Sequence, residues 1–250
     1  MSTTLTLFGH SAVRLEKAGR RLAFDPGAFS DAAVLDGADA VLVTHGHPDH
    51  VVPEQLARAV AGTEAHVWAP RDLTGPLAEA GLDAGHVHTA VPGETFEAAG
   101  FRVEVLGGEH AVIHAEVPRP VNVSYLVDGA VLHPGDSFTV PDADVEVLLL
   151  PAAAPWLRIA DVVDHLAHHL GGDGLVAAGD RAQVLDDAPH RGHVGHRPGQ
   201  VQSLVADRDV HGGEHAAEDP QQRRLAGPGR TQQRHQRPRG DGQRHRVQRG

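Results

Sequence analysis

The chain has no cysteine, one lysine (Lys17), one tyrosine and two tryptophans in 250 residues. Without cysteine there are no disulfides, and a bound metal must be held by histidine and carboxylate. No apolar run approaches the roughly 20 residues of a membrane-spanning helix. Met1 to Leu7 lacks the basic-then-apolar order of a signal peptide, so a cytoplasmic protein without a membrane anchor is expected. A formal net charge of −11 argues against a nucleic-acid-binding body. The length suits one large α/β domain.

What is abundant is histidine, twenty in all. The densest stretch is His45-Gly46-His47-Pro48-Asp49-His50, directly after the apolar run Ala40-Val41-Leu42-Val43-Thr44. The run reads as a short buried β-strand ending in a Gly- and Pro-containing loop. Three imidazoles and a carboxylate in six positions cannot be buried without a compensating partner, and a divalent cation is the obvious one. His45 and His47 can reach one ion from the same side of an extended loop. Asp49 and His50, past the turn at Pro48, can reach a second.

His-x-His-x-Asp-His after a buried strand resembles the signature of the metallo-β-lactamase-fold hydrolases, and further matches follow in order over about the first 166 residues. The resemblance implies a four-layer αββα sandwich with a one- or two-metal site at the edge between two sheets. There a metal-bound hydroxide attacks an ester, lactone, thioester, amide or phosphodiester of a small-molecule substrate. Gly107-Gly108-Glu109-His110 follows a strand, and His110 matches the third ligand of the first metal. Gly135-Asp136-Ser137 matches the family's Gly-Asp-Thr/Ser, whose carboxylate bridges the metals. The expected ligands are thus His45, His47, Asp49, His50, His110 and Asp136, with Asp49 also able to take a proton. Zinc fits the His-rich set, and manganese or iron would also be tolerated. Gly9-His10-Ser11 and Asp25-Pro26 resemble the family's opening, near the metal edge. His10 is read as pocket or structural, Asp25 as orienting a ligand imidazole, His114 as lining the pocket or orienting His110, and His133 as an outer partner. The short opening resembles a lactonase-like branch. His86 and His88 read as exposed.

Around these sites the chain reads as a β-meander to Phe24, a helix from Pro53 to Val60, a strand His66–Ala69, a helix from Leu73 to Ala80, and a second meander from Thr95. A hairpin turns at Asp128-Gly129, a buried strand spans 145–150, and a helix begins at Ile159.

Beyond that the text changes. Residues 1–166 carry 9 basic against 23 acidic side chains, and residues 167–250 carry 13 against 10. Every aromatic ring of Phe, Trp or Tyr lies at or before Trp156, and residues 221–250 hold nine Arg and seven Gln. Such a composition cannot bury enough apolar area to offset chain entropy, so 167–250 is expected to be a disordered tail. The run in which the family places its last metal ligand, Leu175 to Ala178, is followed by no histidine. Out-of-frame translation after about residue 165 accounts for the change and would leave an inactive product. The competing reading is a genuine basic arm, with the body acting as a nucleic-acid phosphodiesterase.

Overall fold

Alternation along the strands assigns each residue to one of two faces, and in this protein both faces are covered. In β3 (Arg20–Phe24) and β4 (Ala40–Leu42), Leu22, Phe24, Ala40 and Leu42 point into one core, while Ala23 and Val41 point into another. In β9 (Val123–Val127) and β11 (Val147–Pro151), Val123, Tyr125, Val127, Val147 and Leu149 join the first core, whereas Leu126, Leu148 and Leu150 form a third. Strands buried on both faces read as continuous apolar runs rather than alternating ones, as 40–43 and 147–150 do.

The computed structural model describes residues 3–152 and 154–170, and the three strands 182–185, 191–194 and 202–206. The remaining strands are β1 (Thr3–Leu7), β2 (Val13–Lys17), β5 (His66–Ala69), β6 (Val87–Thr89), β7 (Thr95–Ala98), β8 (Phe101–Gly107), β10 (Val131–His133), β12 (Ala182–Leu185), β13 (Arg191–Val194) and β14 (Gln202–Ala206). They form two sheets, in the orders β13-β1-β2-β3-β4-β5-β6 and β12-β14-β11-β10-β9-β8-β7. Helices α1 (Pro53–Val60) and α2 (Arg71–Glu79) cover the first sheet through Leu56, Leu73 and Leu77. Helix α3 (Ile159–Leu170) packs on the second through Val162. This is the four-layer αββα sandwich that the motifs imply.

Local chemistry explains the corners. Pro53 opens α1, where its missing N–H leaves nothing unsatisfied. Asp128-Gly129 turns the β9–β10 hairpin with both residues at positive φ (51° and 67°), the mirror-image turn that matches strand twist. Helix α2 starts at Arg71, two residues earlier than the apolar spacing suggests, because Pro70 is extended and stands as its N-cap.

Two expectations about the C-terminal stretch change. Helix α3 runs on to Leu170, past the expected boundary at 166. Three stretches expected to be unstructured are strands: β13 pairs antiparallel with β1, β14 parallel with β11, and β12 parallel with β14. Edge strands present a row of unpaired N–H and C=O groups, and backbone pairing of this kind does not need apolar periodicity. Residues 171–181, including the run Leu175 to Ala178, and the whole of 207–250, including the Arg- and Gln-rich stretch, lie outside the described residues.

The two sheets meet at one edge. There the Val123 N–H donates to the Thr44 carbonyl at 2.9 Å, and the Tyr125 hydroxyl donates to the Val43 carbonyl at 2.9 Å. The loops after β3, β4, β8 and β10 all emerge at this edge, and they carry the chemistry. Among the described residues no helix is long and apolar enough to cross a membrane.

Candidate metal centre

The loop after β4 is clamped from below. Gly27, in the turn after β3, lies so close that a Cβ there would sit 1.8 Å from the Asp49 carbonyl oxygen. Asp25, with no solvent exposure, accepts from the Thr44 N–H at 2.8 Å and from the Thr44 hydroxyl at 2.7 Å. It also accepts from His50 Nδ1 at 2.8 Å.

These contacts settle the tautomers. Because the Thr44 hydroxyl spends its one proton on Asp25, its oxygen accepts from His45 Nδ1 at 3.1 Å. His110 Nδ1 donates to the Ala111 carbonyl at 2.7 Å. In His45 and His110 the Nε2 lone pair therefore faces the centre, where that of His45 meets His47 Nδ1 at 3.0 Å, and Asp25 orients the His50 ring from outside in the same way, the arrangement that metal-ligating histidines obtain from outer partners.

At the centre, one ligand atom from each of His45, His47, His110 and Asp136 lies within 4.8 Å of the others. A second group, His10, Asp49 and His50, satisfies the same condition. Asp136 faces both: Oδ2 is 3.3 Å from His110 Nε2 and 3.9 Å from His45 Nε2, while Oδ1 is 3.3 Å from His50 Nε2. Its backbone is placed by Asn122, whose Oδ1 accepts the Asp136 N–H at 3.0 Å. His50 Nε2 and His110 Nε2 are buried with no hydrogen-bond partner. Buried polar atoms of a native protein are nearly always satisfied, so converging orphaned nitrogens beside a carboxylate fit a cation.

The electrostatics agree. Burial, with the charge of His50 beside it, pushes His45 down to about 2, so its ring is neutral and ready to ligate. His47 is also lowered, by burial and then by His110. Burial alone would lower His50, but the carboxylates of Asp25 and Asp136 outweigh it and hold it up at about 10, so its Nε2 carries a proton that a bound cation would displace. Burial would raise Asp136, yet contacts with His110 and His50 keep it well below the usual carboxylate range. Contact with His10 does the same for Asp49.

The structure brings together His45, His47, Asp49, His50, His110 and Asp136, with His10, Asp25 and His133 around them. His133 Nε2 lies 3.4 Å from Asp25 Oδ2 and donates to the Ser11 carbonyl at 3.1 Å. His114 differs from expectation: it is exposed and accepts from the Glu116 N–H, and His110 is oriented by the Ala111 carbonyl instead. A peptide carbonyl one residue away does the work that the sequence spacing suggested for a side chain. His86 and His88 are half-buried rather than exposed: His88 stacks on Trp68 with ring centroids 4.6 Å apart, and His86 lies 4.8 Å from the ring of His66.

Sequence reasoning missed Thr44, Asn122 and the ring of Trp156, which meets His110 edge-on at 5.1 Å. Thr44 could have been suspected as a hydroxyl beside the first histidine. Nothing local marks the other two. Trp156, Phe138, Val112, Ile113, Arg119 and Arg158 line a cavity of about 750 Å³ that reaches His110.

A family described as a beta-lactamase superfamily domain matches residues 4–170. This chain belongs to the beta-lactamase superfamily. It is similar to Protein Rv0786c of Mycobacterium tuberculosis, 40% identical over 169 residues, covering 65% of this chain and 77% of that one. A metal-dependent hydrolase of Methylobacterium nodulans is 32% identical over 152 residues, covering 53% of this chain and 62% of that one. Among solved structures, the metallo-beta-lactamase fold protein YhfI of Bacillus subtilis shares the fold with a TM-score of 0.53 at 15% identity, over 82% of this chain and 97% of that one. The superfamily member is thus an enzyme of the metallo-β-lactamase-fold, metal-dependent hydrolase kind, and its His/Asp cluster suits a divalent metal.

Proposed function

We propose that the protein hydrolyses an ester, lactone or phosphodiester-type bond of a small molecule at a two-metal site. The observation that carries this reading is the sharing of Asp136, whose two oxygens face two separate groups of ligand atoms. His45, His47, His110 and Asp136 Oδ2 would hold one ion; Asp49, His50 and Asp136 Oδ1 would hold the other. Zinc is the assigned metal, since imidazole nitrogen dominates the first group, with manganese and iron as the competitors to be tested. When bound, such a metal acidifies a water and polarises the scissile group.

The chain's own residues account for the rest. Thr44 and the Ala111 carbonyl hold His45 and His110 in the ligating tautomer and Asp25 orients the ring of His50, so the three rings are held in place before substrate arrives. Asp49 is ionised at neutral pH and stands where it can accept a proton from an attacking water. The cavity beside His110 offers aromatic and aliphatic walls, and its two arginines are paired with acids that line it too, Arg119 with Glu109 at 2.9 Å and Arg158 with Asp161 at 4.0 Å. That lining suits a substrate with an apolar body.

The test uses full-length protein stripped with a chelator and reloaded with one divalent metal at a time. Nitrophenyl esters, simple lactones and bis(nitrophenyl) phosphate are then offered. Turnover is expected only with metal, and Asp136→Asn should lower it by more than about 100-fold, beyond the loss that follows removal of an outer partner. Metal-independent turnover, or none on any of the three classes, overturns the proposal.

A further inference from the structure

The second group of ligand atoms contains a residue for which the two-metal reading has no role. His10 sits in the turn between β1 and β2 at φ 45°, a left-handed conformation uncommon for a residue with a side chain. The turn is held shut by Phe8 N–H to the Ala12 carbonyl at 2.8 Å and Ala12 N–H to the Gly9 carbonyl at 3.0 Å. It is pinned to the neighbouring loop by Asp31 N–H to the Phe8 carbonyl at 2.7 Å. The ring is wedged edge-on between Phe29 and His50, with centroids 6.0 and 5.2 Å away. So placed, its Nε2 ends 3.2 Å from Asp49 Oδ2. That nitrogen is buried and completes no hydrogen bond, as is true of His50 Nε2 and His110 Nε2.

On the side away from Asp49, a void of about 50 Å³ touches His10, His50 and Asp136 and is walled otherwise mostly by apolar groups such as Leu7, Val13 and Leu149. Among the described residues, no histidine or carboxylate besides His10, Asp49 and His50 belongs to that group. Asp136 Oδ1, 3.3 Å from His50 Nε2, borders that group from the first one. Two imidazole nitrogens and a carboxylate oxygen, with a second carboxylate at the border, are donor types that a zinc-like divalent ion takes.

We propose that His10 is the terminal ligand of the second metal, closing from the β1–β2 turn a site otherwise built from the loops after β4 and β10. The inference rests on the two-metal reading and adds one residue to it. A conventional alternative is that His10 merely props Asp49 in place, and the two roles predict different behaviour.

Cobalt(II) titration of the stripped, full-length protein distinguishes them, read by bound metal after dialysis and by the visible ligand-field spectrum of each equivalent. Thermal unfolding of each variant confirms that it is folded. The wild type should bind two equivalents. His10→Phe, which keeps the ring and removes the donor, should keep the first with an unchanged spectrum and bind the second more than about 100-fold less tightly. His10→Glu, which restores a donor of similar reach, should regain the second equivalent with an altered spectrum. If His10→Phe still binds two equivalents at wild-type affinity, His10 is no ligand. If His10→Phe and His10→Glu lose the second equivalent alike, or His10→Phe loses both, the residue acts through packing and the proposal fails. A wild type that binds one equivalent sinks this proposal while leaving the first site standing. One that binds none sinks the two-metal reading as well.

Discussion

Two groups of histidines gather at strands of the same sheet and differ in what surrounds their rings. At the open edge, His45, His47 and His50 follow β4 and meet His110 and Asp136. On β5 and β6, His66, His86 and His88 crowd together as closely, with His66 Nδ1 2.8 Å from His88 Nε2 and ring centroids 4.8 Å between His66 and His86. In the first group His45, His50 and His110 are buried, and their outer nitrogens are committed to Thr44, Asp25 and a backbone carbonyl. The second is half-buried and leans on Trp68, and its imidazole-to-imidazole contact, which the first group also has between His45 and His47, is joined by no carboxylate. Clustering alone does not make a ligand set. Outer partners that fix the tautomer and a carboxylate that supplies charge do so.

That contrast can be broken at several points. The largest effect is expected from Gly27→Ala, because the new Cβ would stand 1.8 Å from the Asp49 carbonyl and the loop would have to move. Destabilisation of roughly 3 kcal/mol or more, at the upper end for overpacking, should appear in urea unfolding of the metal-free protein. Metal binding should weaken in step. A stable variant with intact metal affinity would show that the clamp does not set the site.

His165 sharpens the comparison from the other side, as an imidazole buried with both ring nitrogens unpartnered. Burial, then His169 and His168, lower it from 6.5 to about 4. In the unfolded chain the ring takes up its proton near pH 6.5, whereas the folded protein resists until about pH 4. Stability owed to this group is therefore unaffected above pH 6.5 and is lost as pH falls from there toward 4. The linkage sets a ceiling of about 3 kcal/mol. His165→Leu should shrink the acid-induced loss of stability over that window by up to this amount. Identical pH dependence in the two proteins would refute the account.

Asp25→Asn tests the outer partner directly. The amide keeps the shape but loses the charge that holds His50 and the Thr44 contacts. Metal affinity should fall by about 10- to 100-fold by isothermal titration, with the stoichiometry retained. The smallest effect belongs to the second group: His66→Ala with His88→Ala should leave active-site metal affinity and turnover within about twofold, since neither contacts the edge. A larger change would mean that the two groups are coupled through β5.

Much of the site could be read along the chain because the ligands bunch where strands end. A run buried on both faces, then Gly and Pro, announces a strand terminus, and the His/Asp spacing after it announces ligands. Asp25 lay at such a terminus too, and its contact with His50 follows from β3 pairing in parallel with β4. What could not be read was the choice among outer partners. His114 has the plausible spacing, yet the Ala111 carbonyl orients His110, while His114 is exposed and bonded to the Glu116 N–H. Asn122 and Trp156 reach the centre from positions without local signal. The strands β12 to β14 escaped for a different reason: they are short, lie in a stretch whose composition reads as a tail, and take their places through pairing with β1 and β11, far away in the chain.

Composition and pattern by themselves determined that this is a cysteine-free α/β domain with doubly buried strands and histidine-rich strand ends. Those properties are local, set by side-chain type and period. Only the tertiary structure decided that loops from both sheets converge on Asp136, which nitrogen of each imidazole is free, and that His10 faces Asp49. Each of these depends on contacts between residues far apart in the chain, where the geometry of two packed sheets, rather than sequence spacing, sets the distance.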